Sequence, residues 1–372
     1  MGGTNIERSA LNPTTSAERV VWLDVARGIC MLLVVFMHFD GMFYANFVSW
    51  DQAGKAWDAA TSAARPFRIP GFFLISGILA SSYLSRSWRE ILEKRIVIQL
   101  YTFFLWSAIH LVVLFSLYTN LDYLAVVELG NRLLLNMIWP TTQIWFLWAL
   151  VVYFLAALVL RKISVFAIII SIIMYIASSF IDNTVGMQLC SSFVFFILGC
   201  YFPSFGKSLG KSRSFPFLLS LLVGYIGGVF LIFALGEKTV GVWLPATLCG
   251  VALLFHVSAY LASTPISKPL SYIGRHTLPI YVVHGVILMV LGAWTRWYSW
   301  NAEKIPYGMA IDVVLPILGN ILLVATCIGI YALGNRFGGG WLFRPPRPIT
   351  DALRDPAKKI RSRSATTLSR SR

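Results

Sequence analysis

Long apolar runs separated by short polar, mostly basic, connections dominate the chain. Most of the runs reach 18–24 residues, the length that carries an α-helix across a bilayer. None shows the dyad alternation of a membrane-spanning barrel strand. The pattern predicts an all-α polytopic membrane bundle of about ten helices, near residues 21–43, 66–84, 96–118, 143–160, 163–180, 187–203, 215–235, 240–262, 277–295 and 311–334. Between the first two, residues 44–65 read as a loop of aromatics and small polar residues. The longest internal connection, 119–142, has a short amphipathic piece between Val126 and Ile138. Residues 1–20 read as a polar cytoplasmic segment, 21–335 as the transmembrane domain, and 336–372 as a disordered tail rich in Arg, Ser and Pro. The first run lacks a small-residue cleavage site, so it is expected to be retained rather than removed as a signal peptide.

Composition supports the membrane assignment. Of 372 residues 57% are hydrophobic and only 13% charged, against about 25% charged in soluble domains. The mean hydropathy is +0.72. The net charge of +15 does not point to nucleic acid, because Lys and Arg concentrate in the tail and in alternate loops. That distribution predicts both termini on the cytoplasmic side and a tail held against anionic lipids. Cys30, Cys190, Cys200, Cys249 and Cys327 are scattered through apolar runs without a CxxC pair, so neither a disulfide framework nor a metal site is expected.

The first helix carries the candidate chemistry. Asp24, Arg27 and His38 stand in WLDVARGICMLLVVFMHFDGMF. Charged groups at membrane depth are costly and usually face a bundle interior or a water-filled cavity. Eleven residues from Arg27 to His38 make about three turns, so both project from one side, about 16 Å apart along the axis. Asp24, three residues before Arg27, sits at ion-pair spacing. The plainer alternatives are an interfacial Asp24–Arg27 pair that fixes the helix end and a hydrogen-bonded packing role for His38. Ser76 in LISG is read as close packing rather than as a nucleophile, and His110 and His256 as packing residues.

Four segments in order carry a family resemblance: R-x10-H within LDVARGICMLLVVFMH, then IPGFFLISGIL, QIWFLWAL and SYIGRHTLPIYVVHG. Together they resemble the acyltransferase-3 family of integral membrane O-acyltransferases, over nearly the whole chain apart from its ends. One position departs. Family members often carry a second arginine three residues after the one opening the third helix, and here Arg95 is followed by Ile96, Val97 and Ile98.

The resemblance implies acyl transfer, acetyl being usual, from cytoplasmic acetyl-CoA to a hydroxyl of a cell-surface or exported glycan or glycolipid, in a bacterial inner membrane. His38 would then be the general base or a covalent acyl relay. Arg27 would hold a phosphate or polarise the thioester carbonyl, with Asp24 orienting it. Arg86, Arg89 and Arg95, with Arg275 and His276 in the loop before helix 9, would meet CoA phosphates. His284 would support His38 or position the acceptor. Arg68, Trp145 and Tyr281 would contact the acceptor. For Arg86, Arg89 and Arg95 the competing account is topology alone, for Arg275 and His276 a solvated loop, and for Trp145 an interface anchor. A transporter or flippase for a sugar substrate would use the same Arg and His for passage, but no internal repeat is visible.

Overall fold

Paired glycines set two close helix crossings in the computed structural model, which describes residues 20–46, 51–119, 123–140, 142–209, 214–236, 239–297 and 309–346. The elements in order are α1 (Val21–Met42), α2 (Asp51–Ser81), α3 (Trp88–Ile91), α4 (Val97–Tyr118), α5 (Tyr123–Ile138), α6 (Trp145–Leu160) and α7 (Ser164–Ala177). They continue with α8 (Thr184–Tyr201), α9 (Pro203–Leu209), α10 (Phe215–Leu235), α11 (Trp243–Leu261), α12 (Ser267–Arg275), α13 (Thr277–Trp297) and α14 (Met309–Arg336). The described residues contain no strand.

Each of the ten expected segments falls on a helix. Seven described helices are long and apolar enough to cross a membrane, while α6 and the α7 segment are shorter apolar helices. The expected tail beyond Pro346, and residues 1–19, lie outside the described residues.

Small residues let the inner helices approach each other. Gly77 on α2 lies against Gly199 on α8, and a Cβ on either would strike the other helix's backbone. With lipid as solvent, such close approach gains dispersion contact that larger residues would block. The same device joins α1 to α12. Gly28 abuts the Leu270 carbonyl, and Gly274 abuts the Asp24 carbonyl. Outside this core, α10 presents Phe215, Leu219, Val223, Ile226, Phe230 and Phe233 outward, and α14 presents Leu318, Ile321 and Leu322. An apolar outer face around a packed interior is what a bilayer requires.

Two expected loops are helical. Residues 51–65 extend α2 upstream through Pro66 and Pro70. Alanines at 53, 56, 59, 60, 63 and 64 favour helix strongly, and Ala53, Thr61, Ala64 and Arg68 form a buried stripe at helical spacing. Because the stretch lacks a long apolar window and meets two prolines, it reads locally as a connection. Proline removes an N–H and loosens the turn before it. There the Tyr225 hydroxyl donates to the Ala63 carbonyl, giving that carbonyl a partner inside the bundle. The second case is the stretch before α13, where Arg275 closes helix α12 rather than lying in a loop. Its Leu270, Ser271 and Gly274 face is buried, so packing on α1 pins a segment too polar to look like a helix core.

Several arginines gather at one end of the bundle. Arg95 donates to the Leu79 carbonyl at 3.2 Å, and Arg161 to the Leu84 carbonyl at 2.8 Å. Arg86 and Arg95 both lie over the Tyr83 ring, at 4.5 and 4.3 Å from its centroid. Arg275 and His276 sit at this same end, where Gly274 meets the start of α1.

Candidate functional site

One face of α1 lines a cavity of about 390 Å³ with Arg27, Met31, Val34 and His38. These positions step by four, three and four residues, a single stripe on a helix. The antiparallel α2 supplies Arg68, Phe72, Ser76 and Leu79, again one stripe. The wall is completed by Gln143 just before α6, by Trp145 and Phe146 at its start, by Thr277 and Tyr281 on α13, and by Gln188 and Phe196 on α8. Arg95 and Gln99 close it where the chain enters α4.

Neighbour contacts place the lining residues in two polar ends around an apolar waist. At one end Arg27 donates to the Thr277 hydroxyl at 2.8 Å, and Arg95, on the π turn Leu92–Ile96, caps the Leu79 carbonyl. At the other end stand His38, Arg68, Gln143, Trp145 and Gln188. Arg68 is level with His38, because its Nη2 donates to the Met37 sulfur at 2.7 Å. Met31, Val34, Phe72 and Phe146 fill the middle. The axial rise from Arg27 to His38 is about 16 Å, so the ends cannot act on the same atom.

His38 is half-buried at the cavity wall and makes no hydrogen bond among the described residues. Behind it lies His284, 1% exposed, with the two ring centroids 5.3 Å apart and tilted by 42°. Nδ1 of His284 faces the Ile280 carbonyl at 3.0 Å. A carbonyl only accepts, so Nδ1 carries the proton and Nε2 presents a lone pair. That Nε2 is buried without a partner among the described residues. His284 itself does not line the cavity. His110, on α4, donates from Nε2 to the Val282 carbonyl at 2.9 Å and is buried, in agreement with a packing role.

Tyr281 does line the cavity, but its hydroxyl is already used. It donates to the Gln143 carbonyl at 2.7 Å and accepts the Phe146 N–H at 3.3 Å. It therefore fixes the turn that presents Gln143 and Trp145. Ser76 lines the cavity as well, with its hydroxyl bonded to the Phe72 carbonyl at 2.8 Å. The close-packing glycine of LISG is its neighbour, Gly77.

The remaining expected residues lie outside the cavity wall. Asp24 is buried where its helix meets α12. Arg86 pairs with Glu90 and reaches Arg95 only through the shared Tyr83 ring. Arg275 is exposed, with its guanidinium 5.9 Å from the Tyr272 centroid. His276 stacks on Tyr272 at 4.3 Å. The side chain of Arg89 is outside those described.

Gln99, Gln143, Gln188 and Thr277 escaped the sequence reading. The only signal was a lone neutral polar residue near the end of an apolar run, and such residues face the bundle interior by default. Of these, Gln143 donates from Nε2 to the Met42 sulfur at 3.1 Å and leaves Oε1 buried without a partner.

A family model described as an acyltransferase domain matches residues 20–334. Among curated proteins, the chain is similar to Inner membrane protein YcfT of Escherichia coli (strain K12). The two are 23% identical over 360 residues, spanning 88% of this chain and 97% of YcfT. No solved structure gives a significant match.

Proposed function

The chain belongs to the acyltransferase-3 family, and on that premise we propose that this membrane protein moves an acyl group, acetyl foremost, from acyl-CoA to a hydroxyl of an exported or surface glycan or glycolipid. The observation that carries the proposal is one cavity that has Arg27 and Arg95 at one end and, at the other, the imidazole of His38 without a hydrogen bond among the described residues.

The chemistry divides between the two ends. An acceptor hydroxyl beside His38 gives its proton to the imidazole as its oxygen attacks the thioester carbonyl. The tetrahedral intermediate collapses, the C–S bond breaks, and the proton returns to the CoA sulfur. Histidine suits both directions because its ordinary pKa lies near neutrality. The His284 ring lies 5.3 Å from that of His38 and keeps an Nε2 lone pair without a partner among the described residues, so on this reading His284 stabilises the imidazolium that forms during the step. Arg27 is too far along the helix to polarise a carbonyl beside His38. It is better suited to a donor phosphate, with Arg95 beside it and Arg86 and Arg275 at the rim. The apolar waist fits the donor's thin arm.

This division supports an orientation in which the Arg27 end faces the cytoplasm, where acyl-CoA is found, and it accords with the positive-inside tendency. The test uses protein in nanodiscs, labelled acetyl-CoA and glycolipid extracted from membranes lacking the protein. Thiol release that depends on acceptor, with label in the glycan, is the expected result. Folded wild-type protein that releases no thiol with any acceptor fraction would overturn it.

A further inference from the structure

Arg68 is 4% exposed, and two of its three nitrogens, Nε and Nη1, are buried without a hydrogen-bond partner. The third meets only the thioether of Met37, a weak acceptor. No carboxylate among the described residues pairs with it. A guanidinium keeps its charge under all ordinary conditions, and an unpaired charge at this depth is expensive. Arg68 nevertheless lines the cavity, at the end that holds His38. Such a fork matches one ligand chemistry: an oxyanion taken by two parallel N–H groups.

Building on the acyl-transfer reading, we propose that the acceptor is anionic, with a carboxylate or phosphate seated on Arg68 so that a neighbouring hydroxyl faces His38. The donor's phosphates do not claim this site, since Arg27 and Arg95 stand at the far end of the cavity. Trp145 lines the same end and offers an apolar ring face against which a sugar can lie. The class is therefore acidic sugars: uronic or related sugar acids if the anion is a carboxylate, phosphosugars or lipid-linked sugar phosphates if it is a phosphate.

The experiment uses full-length protein in nanodiscs and matched probes: methyl glucuronide against methyl glucoside, and glucose 1-phosphate against glucose. Binding is read as protection against thermal unfolding, and acceptor use as acceptor-dependent thiol release from acetyl-CoA. In at least one pair the anionic member should bind about tenfold or more tightly than the neutral one. The pair that discriminates identifies carboxylate or phosphate. Arg68→Gln should bring the anionic probe down to the neutral level while leaving the KM for acetyl-CoA within about twofold. Arg68→Lys should retain part of the preference, because charge remains without the fork.

Ligand-free Arg68→Met should melt higher than wild type, because a buried uncompensated charge is gone. Equal binding of both members in both pairs would overturn the proposal. So would an Arg68→Gln effect confined to acetyl-CoA, or an Arg68→Met protein that is less stable. Binding and melting need no turnover, so a protein that binds the anionic probe by Arg68 yet never releases thiol would sink the acyl-transfer reading and leave the anion site standing.

Discussion

Alanine at Gly77 or at Gly199 should force α2 and α8 apart, and alanine at both should cost less than the two single changes added together. On Gly77 the new Cβ would lie 3.0 Å from the Cys200 nitrogen and 3.0 Å from the Gly199 Cα, with the Phe196 carbonyl oxygen closer still. On Gly199 it would lie 2.8 Å from the Ile78 nitrogen and 3.0 Å from the Gly77 Cα. Ordinary contact begins at 3.4 Å. Every atom in the way is backbone, so no rotamer change relieves the overlap and the helices themselves must move. Overpacking of this kind costs about 1–3 kcal/mol for each single alanine.

Both alanines occupy the same gap. Once the first has opened it, the second finds part of its space ready, which predicts a favourable coupling of about 0.5–3 kcal/mol in the double variant. Unfolding in mixed micelles with rising SDS measures all four proteins of the cycle. Because Phe72 on α2 and Phe196 on α8 both line the cavity, transfer should weaken alongside stability. Additive losses in the double variant, or single variants as stable as wild type, would refute the account of this crossing.

Three further outcomes are expected. His38→Ala should lower acyl transfer about 10²–10⁴-fold with unchanged insertion and yield; a rate near wild type would remove His38 from the chemistry. Thr277→Val takes away the hydroxyl that holds Arg27, so the KM for acyl-CoA should rise about fivefold while kcat holds. A rise confined to the acceptor would place Arg27 at the wrong end. Tyr281→Phe strands the buried Phe146 N–H at a cost of about 1–3 kcal/mol and frees the turn that presents Trp145. Stability and acceptor affinity should fall together, and an acceptor KM equal to wild type would disconnect that turn from binding.

The polar seam of α1 was legible because two costly residues eleven positions apart in an apolar run admit only one arrangement on a helix. The cavity stripe of Arg27, Met31, Val34 and His38 follows directly from that period. Arg68, Trp145 and Tyr281 also line the cavity, although the Tyr281 hydroxyl turned out to bind backbone. What spacing could not show is which charged residues stay at the rim. Arg86 and Arg275 share a bundle end with Arg95, but Arg86 is drawn to Glu90 and Arg275 to Tyr272, contacts invisible in a hydropathy pattern. The upstream half of α2 was missed for a different reason. Its alanines bury too little apolar surface to stand out, and its helicity rests on propensity and a stripe of small residues. The neutral polar members of the wall, Gln143 above all, carry neither charge nor motif. Only the bonded turn around Tyr281 brings that residue inward.

Tyr83, whose ring both the Arg86 and Arg95 guanidinium groups approach, has a consequence for how such proteins diversify. The clasp on that ring is encoded in one short stretch, from Tyr83 to Arg95, beside the Arg27–Thr277 pair that α1 and α13 contribute, whereas the imidazole end draws on segments scattered from α1 to α13. Grafting that stretch from a relative that grips the donor's phosphates differently would be expected to alter how tightly the donor is held at one door and leave what is modified at the other unchanged.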